Sequence, residues 1–117
     1  MPVNFTRVAS VDDLAEGRMK SVKAGFEQVC LARVEGRFYA LEEFCSHAGG
    51  ALSSGALDGY EVVCPLHGAR FDVRTGKQSV GPSMTGQPTY PVRVDDDGGV
   101  FIGPMRGGAT LGASFNE

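Results

Sequence analysis

At 117 residues the chain is sized for one domain with a single hydrophobic core, too short for a second catalytic domain. Its net charge of -3 argues against a phosphate-binding surface and so against nucleic acid, and it has no run of about 18 apolar residues that would span a membrane. Three cysteines suit a reducing compartment better than a disulfide framework, and the start Met1-Pro2-Val3-Asn4-Phe5 lacks the basic-then-apolar pattern of a signal peptide, so a cytoplasmic protein is expected.

Seventeen glycines and six prolines punctuate short β-rich runs, and the expected fold class is all-β. Strands are expected over Asn4–Val8, Met19–Lys23, Gln28–Val34 and Arg37–Leu41, with Glu35-Gly36 as a tight hairpin turn. Ser10-Val11-Asp12-Asp13 has the pattern of a helix cap with an acidic residue three places on, so one helical turn is expected there. Asp58-Gly59 is a turn leading into a strand at Tyr60–Val63. A short strand at Phe71–Val73 closes at Thr75-Gly76. Val80–Pro91, rich in Gly and Pro, reads as an ordered loop. Tyr90–Val94, the turn Asp96-Asp97-Gly98-Gly99 and Val100–Ile102 form a last hairpin. The polar, glycine-rich tail Met105–Glu117 has the composition of a disordered segment unless it packs against the rest.

The strands flanking the middle of the chain make a base, about 1–42 and 85–104, with a long insertion at about 43–84 and the tail 105–117. A segment that long needs a source of cohesion, and a metal can supply it. The two histidines of the chain both lie in this insertion. The order is Cys45-Ser46-His47, sixteen residues, then Cys64-Pro65-Leu66-His67. Each pair offers one soft thiolate and one imidazole, and together they make one candidate metal site. Two readings compete: a tetrahedral zinc site, and a [2Fe–2S] cluster with two Cys on one iron and two His on the other. A zinc finger groups its cysteines together and its histidines near a helix, whereas here each loop carries one of each. Gly49-Gly50 and Gly68 beside the pairs let backbone N–H groups approach bridging sulfides.

Cys45-x-His47…Cys64-Pro65-x-His67-Gly68 resembles the signature of the Rieske [2Fe–2S] proteins. Phe71-Asp72-Val73-x-Thr75-Gly76 is similar to that family's strand and turn after the second loop. Gly81-Pro82 is similar to its proline loop, and Tyr90-Pro91-Val92-x-Val94 with Asp97-Gly98-Gly99-Val100 to its closing hairpin. The resemblance spans roughly residues 4–103 and is nearest to the small ferredoxins that serve bacterial aromatic-ring-hydroxylating dioxygenases. It implies an antiparallel β-sandwich base with a small cluster-binding subdomain inserted. It also implies one Rieske-type [2Fe–2S] cluster per chain, held by Cys45, His47, Cys64 and His67.

The implied function is one-electron carriage from a ferredoxin reductase to a terminal oxygenase, by a monomer that is itself no enzyme. The iron on His47 and His67 would lie near the surface, making the imidazole edges the electron gate and transient docking site, with Leu66 and Pro82 in an apolar rim. Cys45 and Cys64 would hold the buried iron. Both histidines being used, a Rieske oxygenase's second, mononuclear iron has no ligands left. Respiratory Rieske proteins carry an extra cysteine in each ligand loop, where this chain has Ala51 or a neighbour and Leu66. They also place Ser and Tyr donors beyond the second loop, where this chain has Ala69 and Phe71. Neither can donate to a cluster sulfur, so a low reduction potential is expected. The alternatives are a Rieske-like small subunit of a nitrite-reductase-type complex and a structural zinc module.

Blander roles are expected elsewhere: Cys30 as a buried core thiol, Phe38, Tyr39, Phe71 and Tyr90 as packing residues, Met84 as a gap filler and Ser46 as a cap of its own loop. Asp95-Asp96-Asp97 and Glu42-Glu43 are expected to be solvated turns.

Overall fold

The computed structural model describes residues 5–44, 50–65, 68–80 and 86–104. Cys45, Ser46, His47, Leu66, His67, Pro82, Met84 and the tail 105–117 lie outside the described residues.

Within them the chain forms strands β1 (Thr6–Ser10), β2 (Met19–Ala24), β3 (Glu27–Val34), β4 (Arg37–Glu42), β5 (Ala56–Asp58), β6 (Glu61–Val63), β7 (Arg70–Asp72), β8 (Gln78–Val80), β9 (Thr89–Tyr90), β10 (Val92–Val94) and β11 (Gly99–Ile102). Two single 3₁₀ turns, Val11–Asp13 and Leu52–Ser54, are the described helical elements. Three antiparallel sheets result, ordered β1-β11-β10, β2-β3-β4-β9 and β5-β6-β7-β8.

The middle sheet carries a hydrophobic cluster on each face. Val29 and Leu31 of β3, with Phe38 and Ala40 of β4, pack against Val100 and Ile102 of the first sheet. Cys30, Ala32 and Val34, with Leu41, pack against Leu52 of the second 3₁₀ turn and Val62 and Phe71 of the third sheet. Alternate residues of one strand point to opposite faces, so β3 reads as a nearly unbroken apolar run because both of its faces are covered. The expected β-sandwich base is therefore present, and the inserted sheet packs on the outer face of its middle layer.

Local signals explain most boundaries. Glu35 and Gly36 have φ of 53° and 79°, which gives a two-residue turn whose twist suits a hairpin. The Glu16 carboxylate accepts both of their backbone N–H groups and holds the turn. The Ser10 N–H donates to Asp13 Oδ2 at 2.9 Å, as the capping pattern predicts. Expected Tyr90–Val94 is broken at Pro91, which has no N–H to donate. Tyr90 pairs with Ala40 in the middle sheet, and Val92 pairs with Ile102 in the first. Strands β5 and β8 were not foreseen, since three residues show too little alternation to be read.

One expectation is overturned. Glu42 and Glu43 are not a solvated turn: Glu42 ends β4, and Glu43 is only 3 % exposed. Glu43 is buried because donors from the next segment satisfy its carboxylate.

Candidate metal centre

The first ligand loop hangs from a closed neck. Phe44 and Ala51 form an antiparallel bridge, so residues 45–50 are bounded by two touching strands of chain. One step further down, the Leu52 N–H donates to the Glu43 carbonyl at 2.7 Å. Ser53 then donates twice to the Glu43 carboxylate, from its N–H to Oε1 at 3.2 Å and from its hydroxyl to Oε2 at 2.6 Å. Gln28 accepts the Glu43 N–H at 3.1 Å, which anchors the neck to β3.

The second ligand loop is a turn on the end of β6. The Cys64 N–H donates to the Ala69 carbonyl at 2.7 Å and the Gly68 N–H to the Cys64 carbonyl at 3.1 Å. Gly68 has φ +72°, a left-handed conformation that costs glycine little and other residues more. Cys64 itself is 1 % exposed and unbridged.

Gly55 brings the two loops together. A Cβ on Gly55 would lie 3.2 Å from Pro65 Cδ, so the chain leaving the first loop lies directly on the second. Gln87 follows the expected proline loop, which lies outside the described residues, and is itself anchored to the neck. The Gln87 side-chain amide donates to the carbonyls of Glu42 at 2.9 Å and Phe44 at 2.7 Å, and its N–H donates to the Gly76 carbonyl at 2.7 Å. Beneath this collar lie Leu41, Leu52, Val62, Ala69 and Phe71, all fully buried.

Carboxylates gather where β4 runs into the first loop. Burial pushes the Glu42 carboxyl above its ordinary range, with neighbouring Glu27 and Glu43 acting in the same direction and the hydrogen bond from Tyr90 opposing them. Tyr90 donates its hydroxyl to Glu42 at 3.0 Å, and burial raises its own titration. Cys30, on the other side of the middle sheet, is 0 % exposed, and its thiol is pushed up first by burial and then by the Glu43 charge. It is a core thiol, as expected. Phe44, beside the first loop, is 45 % exposed.

The structure thus places one of the four sequence-derived ligands, Cys64, and both necks from which the others extend; Cys45, His47 and His67 lie outside the described residues. A buried, unbridged thiol on a tight turn, with the chain that leaves the neck of the Cys45–His47 loop lying against that turn at Gly55, suits the donor chemistry an iron–sulfur cluster requires. Glu43, Ser53, Gly55 and Gln87 were missed by sequence reasoning. No short motif marks them, because their role depends on contacts between segments far apart in the chain.

Comparison with known proteins agrees with this assembly. The family model for the Rieske [2Fe–2S] domain matches residues 4–91. The ferredoxin component of the naphthalene 1,2-dioxygenase/salicylate 5-hydroxylase systems of Ralstonia sp. is 40 % identical over 96 residues, 82 % of this chain and 92 % of the relative. The ferredoxin of carbazole 1,9a-dioxygenase from Nocardioides aromaticivorans IC177 superposes with a TM-score of 0.81 at 33 % identity, covering 86 % of this chain and 98 % of that one. A chain from the complex of reduced oxygenase and oxidised ferredoxin in carbazole 1,9a-dioxygenase gives 0.80 at 31 % identity, covering 87 % and 94 %.

Proposed function

This chain belongs to the Rieske [2Fe–2S] domain family, and from that membership we propose that it is a one-electron carrier, the ferredoxin component of an aromatic-ring-hydroxylating oxygenase system. When bound, the [2Fe–2S] cluster supplies storage for one electron at a time. The single observation that carries the reading is the buried, unbridged Cys64 on its turn against the neck of the loop bearing Cys45 and His47. Cys45 and Cys64 would hold one iron and His47 and His67 the other.

The chain's own residues do the rest. The neck contacts of Glu43 and the turn at Cys64 fix where the ligands start. The core of Leu52, Val62 and Phe71 excludes water from the cysteine side. A carrier of this kind docks briefly, so its interfaces are small. The partners are a terminal oxygenase and a reductase, meeting a monomer near His47 and His67. The oxygenase system is supported by relatives that are themselves ferredoxins of such systems. Among the described residues no helix is long and apolar enough to cross a membrane.

The test is the visible spectrum, then EPR of the dithionite-reduced protein. A red-brown protein with a rhombic signal and average g below the free-electron value is expected, and His67→Ala is expected to lose it entirely. A colourless, EPR-silent protein containing zinc overturns the carrier reading, and a His67→Ala protein with the full spectrum overturns the ligand set.

A further inference from the structure

We infer that Glu43 and Ser53 form a clamp that positions the first ligand loop, an inference that rests on the reading of Cys45 and His47 as cluster ligands. Burying a carboxylate is costly unless every lone pair finds a donor. Glu43 is nevertheless 3 % exposed, at a point where an apolar residue would fill the space without that cost. No ion pair compensates it among the described residues. Both of its carboxylate oxygens are instead taken by one residue, Ser53, on the opposite side of the loop neck. The hydroxyl contact, at 2.6 Å, has the length of a charge-assisted bond.

The backbone of Glu43 is occupied as well, its N–H by Gln28 and its carbonyl by Leu52. Four hydrogen bonds therefore converge on the residue two places before Cys45, and three of them come from residues 52 and 53 on the far side of the loop. With the Phe44–Ala51 bridge above them, they define where the segment 45–50 begins and ends. Liganding geometry tolerates only small displacements, so fixing both ends of a six-residue loop fixes how Cys45 and His47 meet the cluster. Among the described residues no hydrogen bond joins Glu43 to a proposed ligand. Glu43 is a positioning residue acting through the neck.

The test uses the full chain with its cluster and four variants: Glu43→Ala, Ser53→Ala, the double variant, and Glu43→Gln, which keeps one acceptor oxygen for the Ser53 hydroxyl. Val100→Ala, in the opposite core, serves as the control for simple destabilisation. Three quantities are read on each: the g values of the reduced protein, the rate of bleaching in excess chelator, and Tm. Expected is a roughly tenfold faster bleaching and shifted g values in both single alanine variants, no further acceleration in the double variant, and partial rescue by Glu43→Gln. Val100→Ala is expected to lower Tm with wild-type g values and bleaching. Ser53→Ala removes only one hydroxyl, so it keeps the test decisive if Glu43→Ala does not fold. The inference is overturned if the single variants keep wild-type g values, if Val100→Ala bleaches as fast as they do for a comparable loss of Tm, or if the two effects multiply in the double variant. Absence of a Rieske signal in the wild-type protein would overturn the underlying ligand reading instead.

Discussion

Gly55 faces Val63 across a gap with no room for a side chain: a Cβ on Gly55 would stand 2.0 Å from the Val63 carbonyl oxygen. The same contact sets the spacing between the two ligand loops. Gly55→Ala must therefore push β6, and Cys64 with it, away from the first loop. A destabilisation of about 3 kcal/mol is expected from overpacking against backbone. Thermal unfolding combined with iron content checks it. Wild-type Tm with full iron loading would contradict the close approach.

The reduction potential is expected low in the Rieske range of roughly -150 to +300 mV. Ala69 and Phe71 are both fully buried beside Cys64, and neither side chain carries a donor. Hydrogen bonds to cluster sulfur favour the reduced, more negative state, so their absence lowers the potential. Phe71→Tyr, if its hydroxyl reaches the cluster, raises it. Protein-film voltammetry on both proteins decides, and a wild-type value above about +100 mV would defeat the argument.

Cys30 is expected to resist iodoacetamide in the native protein and to react only on unfolding, because burial holds its thiol protonated. The sign of the pH effect follows. A group whose folded pKa is raised contributes fully below its unfolded value and loses that contribution as pH rises. Above about pH 8.5 the unfolded chain gains from ionising this thiol, so stability falls by about 1.4 kcal/mol per unit. In Cys30→Ala that alkaline slope is reduced. Denaturant titrations of both proteins between neutral and alkaline pH measure the difference.

Glu16 works at the other end of the pH scale. Hydrogen bonds from the N–H groups of Gly36 and Glu35 hold its carboxyl below the ordinary range. A depressed carboxyl stabilises above its unfolded value and ceases to do so as pH falls through the folded one. The Tm advantage of wild type over Glu16→Gln is therefore expected at neutral pH and to shrink below about pH 4.3. An advantage that stays constant into acid would remove Glu16 from the turn.

Much of the base was legible in the sequence because its signals are local. The apolar run of β3, the Glu35-Gly36 turn and the Ser10 cap each depend on a few neighbouring residues. The proposed ligand set rests on spacing and on the family resemblance, and of its four residues only Cys64 lies among the described ones. Strands β5 and β8 were not legible, since each is three residues long and held by pairing to β6 and β7. The expected strand Tyr90–Val94 ran through Pro91, and nothing local marked that the chain changes sheets there. Glu43 was misread because charge in sequence suggests solvent, and only Ser53, ten residues on, makes its burial tolerable.

The middle sheet works as a shared wall. Its strand β3 gives Val29 and Leu31 to one core and Cys30 and Ala32 to the other. Opening either side removes packing from the same backbone, so the two halves cannot melt independently while β3 stays paired. The amide protons of β3 are thus expected to exchange only through whole-molecule unfolding and to be the slowest in the chain.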